Sequence, residues 1–225
     1  MTEETKTRAS ARERLLVAAD ELFYAEGVNS VGIDQVIKRA GVAKASLYNT
    51  FGSKEELVRA YLKGRHTQTR ERMARELQAR YRTPRERLSG VFEVQGQLFA
   101  EPDFRGCAFM CASAESDTSE AVEKETEEYR LWVHSLFLDL AYAAGATAPE
   151  TLARQLVVIY DGAGVSAWLD HDPSVSKAAA DIAKALVNTA FTPSPPPPRL
   201  GAKERGTPRR ALETEDPVAA AEQSV

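Results

Sequence analysis

The sequence predicts an all-α fold. Apolar residues recur at the three- and four-residue spacing of a helix face, and serines with a glutamate three positions later recur where such faces begin. No run of alternating apolar and polar residues is joined by an Asn-Gly or Asp-Gly turn, which is the signal expected of a β-hairpin. The 225 residues are 43% hydrophobic and 28% charged, a balance typical of soluble globular proteins.

The first predicted helix begins with a capping box formed by Ser10 and Glu13. Its core face comes next in the chain and consists of Leu15, Ala19, Leu22 and Phe23. Gly27 ends the helix, because glycine readily adopts the left-handed conformation that closes a helix.

Two short helices are predicted next. Ile33, Val36, Ile37 and Ala40 form the apolar face of the first, and Gly41 follows where a sharp reversal requires a positive φ angle. The second carries Leu47, Tyr48 and Phe51, and ends before Gly52 and Ser53.

Ser53 and Glu56 predict a second capping box and a fourth helix running to about Arg80. Prolines then separate the remaining helices, which are predicted at residues 84–100, 105–116, 119–144, 149–171 and 174–190. Seven of the eleven prolines lie after residue 191, which predicts a proline-rich disordered tail over 192–225. The tail serves either as a plain appendage or as a ligand for a proline-reading partner. The expected domains are therefore 1–52, with the start of a linking helix to about 65, then 53–191, and the tail.

The net charge of −4 is unevenly distributed. Residues 1–82 hold 16 Lys and Arg against 11 Asp and Glu, whereas residues 83–191 hold 8 against 17 and the tail holds 5 against 5. Because attraction to phosphate depends on the local field, a basic N-terminal region can bind DNA while an acidic body lies away from it.

The chain gives no sign of export or membrane insertion. Its longest strongly apolar run, residues 156–160, is far shorter than a membrane span, and the N-terminus lacks the apolar stretch of a secretory signal. Two cysteines cannot form a disulfide scaffold, so a cytoplasmic location is expected, without cofactor or metal.

Two short helices around a tight glycine turn, after a longer helix, form a helix-turn-helix arrangement. The segment over about residues 10–65 strongly resembles the DNA-binding domain of TetR-family transcriptional regulators. The resemblance rests on Gly27, Ala40-Gly41-Val42, Ser46-Leu47-Tyr48, Phe51 and Ser53-Lys54-Glu55-Glu56-Leu57. It departs from the family at Ala43, where Ser or Thr usually caps the recognition helix, and at Val31-Gly32, which replaces a Thr pair.

The first residues of the second helix of such a motif enter the major groove. Candidates for base contacts are therefore Lys44, Ala45, Ser46 and Asn49, of which Lys44 suits guanine and Asn49 suits adenine. Phosphate contacts are assigned to Tyr48, Thr50 and Lys54, and Gly32 is a further DNA-binding candidate. The alternatives are that Tyr48 belongs to the core and that Lys54 is merely a solvated charge.

One such motif reads too few bases to be specific, so a homodimer on palindromic double-stranded operator DNA is expected. The last two helices are the predicted interface, through Leu152, Leu156, Ile159, Ala163, Ile182, Leu186, Val187 and Ala190. The alternative is that these faces line the core of the protomer itself.

The resemblance implies a small-molecule effector site in the acidic body. The predicted ligand-binding residues, of which about half are expected to touch a pocket, are Phe92, Gln95, Phe99, Phe109, Met110, Tyr129, Trp132, Tyr160 and Trp168. Ordinary core packing is the alternative for each of them.

The resulting hypothesis is a homodimeric repressor, not an enzyme, that a small apolar or aromatic effector releases from its operator. Activation instead of repression is the variant of this hypothesis. The competing hypotheses are a thiol-responsive regulator or a small helical enzyme using Cys107 or Cys111.

Overall fold

The computed structural model describes residues 9–115 and 119–191, and all regular secondary structure in these two ranges is helical. The all-α prediction is confirmed. The helices are α1 (Ala11–Glu26), α2 (Ile33–Ala40), α3 (Lys44–Phe51), α4 (Lys54–Arg80), α5 (Pro84–Phe99), α6 (Ala108–Glu115), α7 (Glu120–Ala144), α8 (Pro149–Leu169) and α9 (Val175–Thr189). The predicted tail over 192–225 lies outside the described residues, as does residue 116 of the predicted sixth helix.

The start of α1 forms as the sequence predicts. The Ser10 side chain accepts from the Glu13 amide, and the Glu13 carboxylate accepts from the Ser10 amide at 2.7 Å. The predicted box at the start of α4 forms only in half. The Ser53 hydroxyl accepts from the Glu56 amide at 3.1 Å, but the Glu56 carboxylate pairs with Arg59 at 2.6 Å instead of returning to Ser53.

The sixth helix begins three residues later than predicted. Gly106 has a φ of +87°, which places it outside the helical region, so α6 starts only at Ala108. A β-carbon at Gly106 would lie 3.1 Å from the Trp168 side chain of α8. Close packing against this indole therefore keeps residues 105–107 as a loop.

Helices α5, α7, α8 and α9 pack around a shared core whose fully buried members include Leu88, Phe92, Phe137 and Leu156. α5 and α9 approach closely, since a β-carbon at Gly96 would lie 2.4 Å from the Ser176 hydroxyl oxygen. α4 packs against α1 on one side and against α5 and α7 on the other, so it joins the first three helices to this core.

The residues predicted for a dimer interface lie mostly in the protomer's own core. Four of them are at most 5% exposed, namely Leu152, Leu156, Ala163 and Val187. Their assignment as contact residues was wrong because helical spacing identifies an apolar face without telling which neighbour covers it. Ile182 is 53% exposed, and the remaining three residues of the set are half-buried.

No helix within residues 9–115 and 119–191 is long and apolar enough to cross a membrane.

Candidate nucleic-acid interface and buried cavity

The turn between α2 and α3 is fixed by its backbone and by one arginine. Gly41 adopts the left-handed conformation with φ +62°, and the Val42 amide donates to the Ile37 carbonyl. From α1, Arg14 donates to the carbonyl oxygens of Ala40 at 3.3 Å and Gly41 at 3.0 Å. These bonds hold α3 at a defined angle to α2, as recognition of a groove requires.

Burial of one side of α3 determines which residues it presents to solvent. Leu47 is fully buried against the other N-terminal helices. The opposite side exposes Lys44, Ala45, Tyr48 and Asn49, and the Tyr48 side chain is 46% exposed. Tyr48 is therefore not a core residue, and these four side chains form one accessible surface on α3.

Ser46 and Thr50 lie beside that surface. Ser46 is half-buried and Thr50 is exposed. The Thr50 hydroxyl donates to the Ser46 carbonyl at 2.6 Å, so a contact with a phosphate oxygen, which only accepts, requires this hydroxyl to turn away from the helix. The predicted groove-facing residues are thus brought together along one short helix.

Lys44 forms an ion pair with Asp34 of α2 at 3.1 Å, and this hydrogen bond raises the pKa of Lys44 above its ordinary value. The two side chains are 60% and 82% exposed, so the pair contributes little to stability. Lys44 therefore remains charged and can exchange Asp34 for a base or phosphate at low cost.

Gly32 and Lys54 lie at the starts of α2 and α4. The Gly32 amide donates to the Gln35 side chain at 2.6 Å, so a phosphate contact there requires Gln35 to move. Lys54 is half-buried, and this burial lowers its pKa. It lies in the first turn of α4, where a cation is unfavourable to the helix dipole unless an anion approaches.

A cavity lined by most of the predicted effector residues has a volume of about 150 Å³. We call it the central cavity. It lies among α1, α4, α5, α6, α7 and α8 and is lined by Tyr24, Arg65, Thr69, Gln95, Leu98, Phe99, Glu101, Asp103, Phe104, Gly106, Cys107, Ala108, Phe109, Met110, Thr126, Tyr129, Arg130, Tyr160, Asp161 and Gly164.

Six of the nine predicted ligand-binding residues line the central cavity, and they are Gln95, Phe99, Phe109, Met110, Tyr129 and Tyr160. The other three lie elsewhere. Phe92 is fully buried and packs against the ring of Phe137 with centroids 5.7 Å apart. Trp132 packs on His66 of α4, and Trp168 covers Gly106.

Aromatic rings form much of the cavity wall. Phe109 and Tyr129 are stacked with their centroids 4.1 Å apart and their planes inclined by 5°. The hydroxyl oxygens of Tyr129 and Tyr160 are 3.4 Å apart. Burial raises the pKa of Tyr160 to about 12 and that of Tyr129 well above its ordinary value, so both phenols are neutral.

Tyr24 and Arg65 connect the cavity to the DNA-binding helices. The Tyr24 hydroxyl donates to the Gly106 carbonyl at 3.0 Å and accepts from the Arg105 amide at 2.9 Å. Arg65 lies 3.9 Å from the Tyr24 ring centroid and makes two bonds to Asp20 of α1 at 2.5 and 2.8 Å.

The far end of α6 makes a second connection. The Asn29 amide donates to the Glu115 carboxylate at 2.9 Å, and the Asn29 side chain donates to the Glu115 carbonyl. A β-carbon at Gly27 would lie 2.5 Å from the same carboxylate. One short helix thus lines the cavity at its start and holds the turn between α1 and α2 at its end.

These connecting residues were missed in the sequence. Tyr24, Arg65 and Asn29 lie in the segment that resembles the DNA-binding domain, so nothing in the local pattern relates them to the body. The only sequence signal of their role is that Tyr24 is a single aromatic residue, and Arg65 a cation, on polar helix faces.

The two cysteines favour the protonated thiol form over the thiolate. Burial raises the pKa of both Cys107 and Cys111 above the ordinary value, which opposes formation of a nucleophilic thiolate. Within the described ranges, no three residues among His, Cys, Asp and Glu are grouped as a metal site would require.

A tight helix-turn-helix with an exposed recognition surface, joined to a helical body that encloses an aromatic cavity, defines the class of helix-turn-helix transcriptional regulators.

Comparison with known proteins gives the family. Residues 15–61 match the profile of the tetR family of bacterial regulatory proteins. The chain is 30% identical to a TetR-family transcriptional regulator of known structure from Streptomyces coelicolor, with a TM-score of 0.75, and the match covers 81% of this chain and 96% of that one. A TetR-type regulator from Streptomyces avermitilis is 32% identical, with a TM-score of 0.67 and coverage of 81% and 98%. The chain belongs to the TetR family of DNA-binding transcriptional regulators.

Curated relatives match this chain over stretches of very different length. The HTH-type transcriptional activator FasR of Mycolicibacterium smegmatis is 46% identical over 55 residues, which are 24% of this chain and 25% of that protein. The chain therefore aligns with only about a quarter of that relative's length. The HTH-type transcriptional regulator BetI of Rhizobium meliloti is 25% identical over 178 residues, covering 79% and 87%.

Proposed function

We propose that the protein is a homodimeric repressor that binds a palindromic operator and is released from it by a small apolar or aromatic molecule in the central cavity. The observation that carries the proposal is the double attachment of α6. Its N-terminal residues Phe109 and Met110 line the cavity, whereas its last residue, Glu115, bonds to Asn29 in the turn before α2. A shift of α6 on ligand binding would therefore change the position of the recognition helix.

On this proposal Lys44 and Asn49 read bases in the major groove. Lys44 can donate to guanine O6 or N7, and Asn49 can make two bonds to adenine, since both side chains are exposed on α3. Ala45 offers a methyl contact, and Ser46 is the remaining candidate for a base edge. Their contribution to specificity is about 1–3 kcal/mol for each good two-bond contact.

The phosphate backbone is assigned to the side chains of Tyr48, Thr50 and Lys54 and to the amide of Gly32. Lys54 has a particular role here, because binding of a phosphate would compensate both its partial burial and its unfavourable position in the first turn of α4. These contacts set the register of the protein on DNA without reading its sequence.

Dimerisation is supported by an exposed apolar stripe on α8. Val158 is 67% exposed and Leu169 is 63% exposed, with the exposed Gly162 and the half-buried Val165 between them. Their spacing of four, three and four residues keeps them on one face of the helix. A β-carbon at Gly162 would meet no atom within 4 Å, so the protomer leaves room there for a second helix. On α9, Ile182 is exposed.

The proposed effector acts by population shift. A ligand that binds one conformer of the cavity more tightly also favours the corresponding position of α6, and it lowers operator affinity if that position separates the two recognition helices incorrectly. Coupling of this kind typically amounts to about 1–3 kcal/mol, or 5- to 150-fold in affinity. Next to Glu115, a cavity of about 200 Å³ lined by Gly27, Cys111 and Trp168 gives α6 space to move.

The thiol-responsive and enzymatic alternatives are not favoured. Thiols with raised pKa values react slowly with oxidants and electrophiles, because the thiolate is the reactive form. Ligand response through the cavity needs no chemical step.

A mobility-shift titration of the palindrome nearest the protein's own gene tests the proposal. The wild type and a Glu115→Ala variant are titrated with and without a panel of small aromatic molecules. We expect both proteins to bind the operator and at least one compound to release the wild type. In the variant, that compound should weaken operator binding by a smaller factor than it does in the wild type. An unchanged factor in Glu115→Ala would show that α6 does not transmit ligand binding to the DNA-binding helices through Glu115. A reporter strain lacking the gene distinguishes repression, in which expression rises, from activation, in which it falls.

A further inference from the structure

The central cavity restricts its ligand in size. Its volume is about 150 Å³, which corresponds to the cavity that holds one benzene ring in an engineered protein core. The sites of drug-sized ligands are larger, at about 300–1,000 Å³. This volume corresponds to a single aromatic ring with one small substituent.

The wall also restricts the charge of the ligand. Its charged residues other than Asp103 already have partners, and the pairs are Arg65–Asp20, Arg130–Asp161 and Arg72–Glu101. Asp103 is exposed to solvent. A charged ligand would lose part of its hydration, and Asp103, the one charge of the wall without an ion-pair partner above, is open to solvent and offers only a screened counter-charge, so a neutral ligand is favoured.

Gln95 of α5 determines the hydrogen bond that the ligand can make. The residue is 5% exposed, and its Nε2 donates to the Tyr160 carbonyl at 3.0 Å. A carbonyl only accepts, so this bond fixes which end of the amide is the donor. The Gln95 Oε1 atom is buried and has no hydrogen-bond partner among the described residues. A buried acceptor without a partner is costly, and a ligand that supplies a donor recovers that cost.

We propose that the effector is an uncharged, single-ring aromatic compound with a hydroxyl or amino hydrogen-bond donor that binds Gln95 Oε1. The inference rests on the proposed function only in taking the central cavity as the effector site. The stacked rings of Phe109 and Tyr129 form an apolar wall for the ligand, and the neutral hydroxyls of Tyr129 and Tyr160 lie close enough together to accept or donate a second bond.

Calorimetric titration of the full chain with phenol and toluene tests the assignment, because the two probes have nearly the same shape and only phenol carries a donor. The proteins are the wild type, Gln95→Met, which removes the acceptor, and Gln97→Met, a change of the same type on the same helix outside the cavity wall. We expect the preference for phenol over toluene to fall about tenfold in Gln95→Met and to be unchanged in Gln97→Met. An unchanged preference in Gln95→Met would overturn the role of Gln95.

Wild-type protein alone tests the remaining restrictions. Phenol should bind more tightly than anisole, which has an oxygen but no donor, and more tightly than benzoate or benzylammonium, which are charged. Tighter binding of either charged probe than of phenol would overturn the proposal that the effector is uncharged. Equal binding of anisole and phenol would overturn the proposal that the effector donates a hydrogen bond. These comparisons need no variant, so they hold even if Gln95→Met fails to fold.

Operator release is measured separately by mobility shift. Binding of phenol through Gln95 without release of DNA would contradict the proposed function and leave the ligand assignment standing. Release by a charged compound, without Gln95-dependent binding of phenol, would contradict the ligand assignment and leave the proposed function standing.

Discussion

Replacement of Arg65 by Met should destabilise the fold, because Arg65 joins α1 to the wall of the central cavity. Met preserves much of the apolar stem but removes two bonds to Asp20, at 2.5 and 2.8 Å, and the contact with the Tyr24 ring at 3.9 Å. A hydrogen bond to a charged group contributes about 1.5–3 kcal/mol when buried, and a cation–π contact about 0.5–1 kcal/mol when exposed.

Solvent reduces these values, since the side chains of Arg65 and Asp20 are 23% and 36% exposed. We therefore expect Arg65→Met to lower the free energy of unfolding by about 2 kcal/mol in total. For a chain of this size, that loss corresponds to a melting temperature about 4–8 °C lower. Urea unfolding followed by circular dichroism measures the free energy, and differential scanning calorimetry measures the melting temperature.

A matched control is a second arginine that pairs with an acidic residue of α1. Arg39 of α2 pairs with Glu21 of α1 at 2.6 Å, but the two side chains are 60% and 45% exposed. Arg39→Met should therefore cost less than about 1 kcal/mol. If Arg65→Met is no more destabilising than Arg39→Met, the contacts of Arg65 with Asp20 and Tyr24 do not contribute to joining α1 to the body.

Three further changes test other parts of the structure. Gly162→Lys should convert dimers to monomers in analytical ultracentrifugation with an unchanged circular dichroism spectrum, since the protomer leaves space there; retention of the dimer would exclude this stripe as the interface. Tyr48→Ala with Lys54→Ala should weaken operator binding at least tenfold and reduce its salt dependence, as measured by mobility shift at several salt concentrations, whereas unchanged binding would refute the recognition surface. Glu125 is 4% exposed and burial raises its pKa, so ionisation of this carboxyl opposes folding. Glu125→Gln should therefore be more stable than the wild type at pH 7. This gain in stability should shrink as the pH falls, because Glu125 of the wild type then takes up its proton. Glu127→Gln, at an exposed position on α7, should show no such gain in the same urea titrations.

The local features of the fold were predictable from the sequence because they depend on neighbouring residues. The Ser10–Glu13 box and the left-handed Gly41 both form as expected, since capping needs only a few residues in a row. The late start of α6 was not predictable, because the positive φ of Gly106 goes with packing against Trp168, more than sixty positions away.

The faces of α8 show why the partner of an apolar surface could not be predicted. Leu152 and Leu156 recur at helical spacing, and so do Val158, Gly162 and Val165. Only the packed structure shows that the first set is buried in the protomer while Val158 and Gly162 are exposed. Tertiary packing likewise brings Tyr24 to the cavity, because its position follows from the crossing of α1 with the loop before α6.

Fluorescence anisotropy with labelled operator DNA tests whether two copies of this chain read one palindrome. The intact palindrome and a duplex with one half-site scrambled are each titrated with wild-type protein at the same salt concentration. We expect two protein chains to bind each intact palindrome and the affinity to fall strongly when one half-site is scrambled. One chain per site with equal affinity for the two duplexes would contradict this expectation.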